Sequence, residues 1–528
     1  MRKVFKVLSV AILSLLVLVG AFLLFAPALF SDSLKSAMIN EFQKQTEQDY
    51  TLDFSTFDIG IFRRSISVDS LVVQPDSASP HIRKIAASSI SVNGIKWFSL
   101  FNKSFPDFAS ITLINPEVEL FARDYSASSF SGSGDDLNEE KRGYLTTFNL
   151  IIKNGSGKIV REDRTEVLVV DNLSLEAEDV NLNALLFGSE LVFLENLSIN
   201  GSGLKWSLEE KLYAFTIADF SFDKRKEFIS LTDIKLTPVV PKYEFSNLRA
   251  YQLDRIDLKI PRAELSGFKL DSLSEEHFEL DTLKIFDAWM EVFRNKQIDR
   301  APGIATKPLL NKVAHAMDLS FGLNHTLISN ATIVYEEHKP PSDTSGSISF
   351  NEINASLTNF RTARHPNFHQ DTLKLHVESL FMDVAPLTVD VLYPIFDEND
   401  THYLKLKLDS LDPKAVSDMM EHVGFVRIEN GFIESLEAEY KLNAESSTGE
   451  VLVLYRDLKV SFLNKDDPNS KNIFQWAGDL IANTFVIKSK NTGDDPRIGE
   501  IDFEREKEKS IFAYWWKSLL SGLKNSIK

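Results

Sequence analysis

The residues best placed to do chemistry lie in ARHPNFHQDTLKLH, where His365, His369, Asp371 and His376 fall close together. Imidazole and carboxylate groups are zinc-type ligands, and two histidines four apart on a helix share one face. Pro366 interrupts such a helix directly after His365, and the alternation beginning at Leu373 places His376 on a strand. The cluster therefore reads as a solvated loop. Acid pairs at Asp135-Asp136, Asp466-Asp467 and Asp494-Asp495 each sit among Gly, Pro or Asn, where turn capping accounts for them. A Gly-rich phosphate loop, a G-x-S-x-G elbow and an H-E-x-x-H pair are absent. Spacing leaves open a carboxylate pair assembled from distant positions, as glycoside hydrolysis uses. The expectation is nevertheless a protein that is not an enzyme, with no catalytic residue, no metal and no cofactor.

What the chain positions instead is an apolar surface. From about residue 50 to residue 505 apolar and polar residues alternate with period two, as in sheets wet on one side. Val118 and Leu120 flank Glu119. Ile256, Leu258 and Ile260 alternate with Asp257 and Lys259. The clearest runs are Leu404-Lys405-Leu406-Lys407-Leu408 and Leu436-Glu437-Ala438-Glu439-Tyr440-Lys441-Leu442. Dividing this length by usual strand-plus-turn lengths predicts ~15–20 strands. A weak repeat accompanies them: an apolar strand end meets Asn or Asp, then a small residue or Pro, then another strand. Its pivots are Asn115, Asn154, Asp287, Asn330 and Asn430, residues that tolerate left-handed backbone and close local turns or bulges.

Helices are few. Leu34, Met38 and Phe42 give one over 31–48. Others are expected at about Pro308 to Met317, from Asp412-Pro413 to Gly424, and around Ile473–Ile481. SASSFSGSGDDLNEEKRG, residues 126–143, is a polar loop. At the C-terminus Ile511, Phe512, Trp515, Trp516, Leu519, Leu520, Leu523 and Ile527 share a helical stripe, with Lys517, Lys524 and Lys528 among the polar positions. A basic, aromatic, amphipathic helix reads as interfacial; the alternative is a helix that caps the sheet.

Val7 to Phe30 carries no charge, with Arg2, Lys3 and Lys6 before it and Asp32 after it. About 20 apolar helical residues cross a bilayer core, so the run is expected to be a single transmembrane anchor with a cytoplasmic N-terminus. Ala26-Pro27-Ala28 resembles a cleavage site, but the stretch exceeds a signal-peptide core. A formal charge of −18 argues against nucleic acid. The absence of cysteine removes disulfides and thiolate metal sites and suits a periplasm. The excess of Phe, 39 against 12 Tyr and 6 Trp, fits either one compact core or a surface lined for acyl chains.

The two ends of the chain resemble the AsmA-like family of Gram-negative inner-membrane-anchored envelope proteins. At the start these are the anchor, the helix at Leu34–Phe42, FDIGIFRRSISVDSLVV from Phe57, SSISVNGIKWFSLF from Ser88 and ITLINPEVELF from Ile111. At the end they are VLVLYRDLKVSFL from Val451, the helix at Ile473–Ile481 and the tail IDFEREKEKSIFAYWWKSLLSGLK, which is similar to forms found in Bacteroidota. The resemblance implies a mainly β fold: a transmembrane helix, then a long, curved antiparallel β-sheet groove of the bridge-type lipid-transfer kind, a few short helices and a C-terminal amphipathic helix. The implied organisation is anchor 1–30, N-terminal segment 31–125, polar loop 126–143, main groove 144–505 and terminal helix 506–528. At about 4.8 Å per strand the groove would run ~70–95 Å.

The implied function is holding or conducting phospholipid or another acyl lipid between envelope membranes, in support of outer-membrane homeostasis. The implied location is the inner membrane, single-pass, with most of the chain periplasmic. The groove lining would come from Val118, Leu120, Ile256, Leu258, Leu404, Leu406, Leu408, Ala438, Tyr440 and Leu442. The membrane-interface helix would use Phe512, Trp515, Trp516, Leu519, Leu523, Lys517 and Lys524. The competing reading is a non-catalytic assembly or scaffold factor that binds an outer-membrane or envelope protein partner by edge pairing. What fills the apolar face separates the two.

Overall fold

The structure, a computed structural model, describes residues 31–528 apart from 47–49, 61, 76–81, 98–106, 122–146, 162, 182–195, 209–211, 249–250, 270–276, 301–302, 304–305 and 464–486. The expected anchor, the polar loop at 126–143 and the expected helix at Ile473–Ile481 lie outside the described residues. No helix among the described residues is long and apolar enough to cross a membrane. Among the described residues strand outweighs helix, 60% against 13%, as the period-two patterning predicts. The chain divides into two compact units, Met1–Asp233 and Ile234–Lys528.

The first unit opens with helix α1 (Ser31–Gln45), which buries Met38 and Phe42. It packs on β1 (Tyr50–Asp53), where Lys35 pairs with Asp53 at 3.1 Å. β2 (Thr56–Gly60) and β1 both pair with β3 (Ser65–Pro75), and β4 (Ile82–Asn93) follows. β5 (Ser110–Ile114) and β6 (Glu117–Phe121) lie end to end between β4 and β7 (Thr147–Val160). β8 (Glu166–Asn181), β9 (Asn196–Ser207) and β10 (Tyr213–Asp223) continue the ladder. The division between the units falls inside β11 (Phe228–Pro238).

The second unit repeats this plan. After the short helix α2 (Lys242–Asn247), β12 (Arg255–Ser266) pairs with both β13 (His277–Phe286) and β14 (Trp289–Asn295), again placed end to end. Helix α3 (Leu310–Ala316) precedes the long β15 (Ser320–His338), which pairs with both. β16 (Gly346–Arg361), β17 (Leu373–Phe381), β18 (Ala385–Tyr393) and β19 (His402–Leu408) follow as an antiparallel meander. A 3₁₀ turn at Pro413–Val416, capped by Asp412, leads into α4 (Ser417–His422). β20 (Val426–Leu442), β21 (Ser446–Phe462) and β22 (Ile498–Glu504) end the ladder, and α5 (Ile511–Ile527) closes the chain.

Two expectations are corrected. The described residues hold 22 strands, above the expected range. The sheet is mixed, not antiparallel, because β5 and β6 run parallel to β7, and β13 and β14 run parallel to β15. Parallel neighbours need a crossover of a dozen or more residues. The chain supplies one between Phe121 and Thr147, and another between Asn295 and Ser320 that includes α3. A period of two gives the face of each residue and carries nothing about strand direction.

The Asn/Asp pivots interrupt the strands: the register shifts at Asn154 and Asn330 and is kept on either side of Asn115 and Asp287, which join β5 to β6 and β13 to β14. Asn115, Asn154, Asp287 and Asn330 have φ of 48°, 52°, 55° and 56°, a left-handed state that short polar side chains tolerate best. At Asn430 the register also shifts, but there the positive φ, 147°, belongs to Gly431. The pivots lie beside one another in adjacent strands. Asn330 Nδ2 donates to Asp287 Oδ1 (2.7 Å), and Asn354 Oδ1 accepts from Asn330 N (3.2 Å). At Asn154 and Asn330 the register slips by one and returns within a few residues, a local irregularity of the ladder.

Candidate functional site

The inter-strand register defines one apolar face in the second unit. Residue by residue, Ala263, Ile285, Ile328, Ala355, Val377, Val389, Leu406, Ala438 and Val451 stand opposite one another across nine strands. Two positions along each strand, Leu265, Leu283, Thr326, Leu357, Leu375, Val391, Leu404 and Tyr440 make a second row. Beyond the pivots Leu258, Met290, Ile333, Phe350, Phe381 and Ala385 make a third. One residue off this register the sheet is polar: His376, Asp390, Lys405 and Glu439 form a row joined by contacts of 2.7 Å (His376–Asp390) and 2.5 Å (Lys405–Glu439).

The apolar face is not covered evenly. At its C-terminal end Val391, Leu404, Ala438, Tyr440, Val451 and Ile501 are 5% exposed or less. Helix α5 packs on β21 and β22, against Val451 and Ile501, and its Trp515 reaches Tyr440 and His402. Its buried stripe is Tyr514, Ser518, Leu519, Gly522 and Ser526, flanked by Ile511, Trp515, Leu523 and Ile527, which pack against the core. Ser518 bonds Ser447 at 2.7 Å, Tyr440 donates to the Trp515 carbonyl (3.2 Å), and Ser526 donates to the Arg497 carbonyl (3.1 Å). Gly499 and Gly522 let the backbones meet: a Cβ on Gly499 would stand 2.0 Å from the Gly522 carbonyl oxygen.

A buried imidazole joins this closure. His402, wholly buried, stacks on Tyr393 with centroids 4.3 Å apart. Its Nδ1 lies 2.8 Å from the Asp400 carbonyl, which only accepts, so the proton sits there and Nε2 accepts from the Trp515 indole at 2.9 Å. Burial pushes the His402 pKa down to about 4, with the Arg505 charge adding to it against the Asp400 carbonyl.

Towards β12 the same face opens. Leu265, Leu283, Ile285, Ile328, Met290 and Ile333 are half-buried, while Leu357, Leu375 and Phe350, also half-buried, pack against the core. None of the described helices packs substantially on β13 or β15. The open part ends in ion pairs at both strand ends. At one, Lys296 pairs with the buried Glu337 (2.6 Å), which also accepts from Tyr335 (2.6 Å), and Arg294 holds both oxygens of Asp254 (2.6 and 2.5 Å). Burial and the Glu337 charge raise the Tyr335 phenol above its usual range. At the other, the buried Arg361 meets Asp371 (3.2 Å) and Glu279 (3.8 Å). The first unit shows a similar gradient. Ile66, Val92, Ile111, Leu150, Ala177 and Leu197 form a buried row, whereas Ile152, Leu175, Ile199 and Phe222 in the next are half-buried.

The residues expected to line a groove therefore fall into two groups. Ile256, Leu258, Val118 and Leu120 are half-buried on open stretches. Leu404, Leu408, Ala438, Tyr440 and Leu442 lie inside the packed core, and Leu406 packs against it. Of the residues expected on an interfacial helix, Leu519 is buried, Leu523 packs on the core and Trp515 is bonded to His402. Lys517 pairs with Glu506, Lys524 is half-buried, and Phe512 (71% exposed) and Trp516 (54%) point outward. Sequence reading missed Ile285, Ile328, Leu357, Met290, Ile333 and Phe350. Their alternation changes phase across Asp287, Asn330 and Glu352, so no long run displays it. The pivots themselves were the signal that could have joined the segments.

The histidine segment does not converge. His365 is buried in the turn after β16, His369 packs on Phe368 (5.1 Å), Asp371 is taken by Arg361, and His376 lies on the polar face. Among the described residues no group of three or more potential metal ligands is gathered. No family model matches this chain, and no curated protein matches it either.

Proposed function

We propose that the open part of the apolar face, β12 to β17, holds the acyl chains of a phospholipid or similar lipid. In this reading the protein is not an enzyme. It is anchored in the inner membrane by Val7–Phe30, and its periplasmic body holds or conducts lipid between envelope membranes, supporting outer-membrane homeostasis. The observation that carries the reading is the set of half-buried residues Leu283, Ile285, Ile328 and Ile333, framed by paired charges. Such a surface keeps part of its hydrophobic cost in water, and an acyl chain laid along it gains about 0.8 kcal/mol for each CH₂ removed from water. The basic flank before Val7 supports the orientation, and the ends of the chain support the AsmA-like comparison. Phe512 and Trp516, in a terminal segment with four lysines and no acid from Lys509 to Lys528, suit contact with an anionic membrane surface. The alternative, a scaffold for an outer-membrane protein, draws on the packed end under α5, which has an ordinary core.

The test is photo-crosslinking of the full chain in a Gram-negative cell, with benzoylphenylalanine placed at Ile328 or at Leu404. The expected result is a lipid adduct at Ile328 and an internal adduct at Leu404. A protein adduct at Ile328, or none, would move the reading to the scaffold.

A further inference from the structure

A second site lies at the strand ends beside α3. The segment before α3 is pinned to the chain after β22: Lys307 N donates to the Lys507 carbonyl (2.8 Å), and the Arg505 guanidinium donates to the carbonyls of Lys307 (2.6 Å) and Ala444 (3.3 Å). Between them is a cleft of about 290 Å³, counting the space open to solvent, into which Lys307, Lys312, Arg505 and Lys507 converge. Two carboxylates share it. Asp400 is buried, and one of its oxygens accepts from the Tyr393 hydroxyl (2.7 Å) and from Asn311 N (2.9 Å). Glu445 pairs with Lys507 at 2.6 Å, and that contact, followed by the charges of Lys507, Arg505 and Lys312, holds its pKa below the usual carboxylate value.

Lys307 and Lys312 are in no salt bridge among the described residues, and Arg505 Nε is buried without a hydrogen-bond partner there. A chain of charge −18 has acids to spare, yet here four cations face two carboxylates, one of them paired with Lys507. A guanidinium with a free N–H beside two ammonium groups is the donor set that oxyanions take.

We propose that this cleft binds a phosphate-type oxyanion, held by Arg505, Lys312 and Lys307. The site does not depend on the apolar face, since the recognised chemistry is the same for free phosphate and for a phospholipid headgroup. The test is calorimetric titration of the full-length protein in nonionic detergent at constant ionic strength, first with inorganic phosphate and then with dihexanoyl phosphatidylglycerol. Saturable phosphate binding is expected, weakened about tenfold or more in Lys312→Glu and in Arg505→Gln, and unchanged in Lys405→Gln. Lys312 is exposed, so its variant decides if Arg505→Gln fails to fold. Competition by the short-chain lipid, lost in Lys312→Glu, would assign a headgroup; phosphate binding without competition would assign a free anion. No saturable binding up to about 10 mM phosphate, or an equal loss in Lys405→Gln, would overturn the site. Lipid capture at Ile328 is read by a different experiment, so either conclusion can fail alone.

Discussion

The two ends of the apolar face in the second unit have the same alternation and the same ladder, and differ in what lies on them. Near β20 to β22 helix α5 presses Tyr514, Ser518 and Gly522 onto Val451, Tyr440 and Ile501, and the side chains are sealed. Near β13 to β16 Ile285, Ile328 and Leu357 keep part of their surface in water. An apolar strand face is thus a core only where something is laid over it. The contact that closes it here depends on glycine and serine, because a helix backbone must approach a strand closely before either can exclude water.

The sharpest way to break the comparison is one substitution made at both ends. Leu404→Asp puts an unpaired carboxylate into the sealed end and should cost about 4 kcal/mol or more, or prevent folding. Ile328→Asp can reach water and should cost about 1 kcal/mol while abolishing the lipid adduct of benzoylphenylalanine placed at the neighbouring Ile285. Urea denaturation of the two variants measures the difference, and equal costs would mean that the face is sealed throughout. Next in size is the close approach of helix and strand. Gly499→Val collides with the Gly522 carbonyl and should cost about 3 kcal/mol. It should also make the tail newly sensitive to protease, while leaving β13 to β16 as they were.

The effect of pH is of similar order and belongs only to the sealed end. The folded pKa of His402, about 4, lies below the ordinary 6.5, so the unfolded chain binds more protons between these values. The stability contribution is complete above about pH 6.5 and is lost as pH falls towards 4, on the order of 3 kcal/mol in all. Denaturation midpoints at pH 7.5 and 4.5 should show this slope in the parent and lack most of it in His402→Gln. Trp515→Phe leaves His402 Nε2 without its donor and should cost about 1–2 kcal/mol at neutral pH. The smallest effect is expected on the polar face, where Lys405→Ala removes an exposed pair with Glu439 and should leave the midpoint within its scatter.

Much of the strand content was legible because period two is a local signal. Leu404 to Leu408 and Leu436 to Leu442 read directly as β19 and β20, and Asp412-Pro413 read as a helix start with Asp412 accepting from Lys414 N. The pivots were legible as turns or bulges, and four of the five adopt the left-handed backbone. The open face was less legible, because the pivots at Asp287 and Asn330 cut its rows into short pieces of opposite phase. The cleft at Arg505 was not legible at all. It needs Lys307 and Lys507 brought together across 200 positions, and no local pattern marks either.

By itself, then, the sequence determined that each strand would have one apolar and one polar face, where the chain would bend, and that it would end in an amphipathic helix. These follow from side-chain chemistry acting over a few residues. Tertiary structure alone decided which strands run parallel, which stretch of the apolar face is sealed, and which face of α5 points inward. Of the expected apolar stripe, Ile511, Trp515, Leu519, Leu523 and Ile527 face the core together with Tyr514, Ser518, Gly522 and Ser526, whereas Phe512 and Trp516 face outward. Close approach at Gly499 and hydrogen bonds to Ser447 and Arg497 act together with that apolar burial to fix the face, which leaves the rings of Phe512 and Trp516 in water.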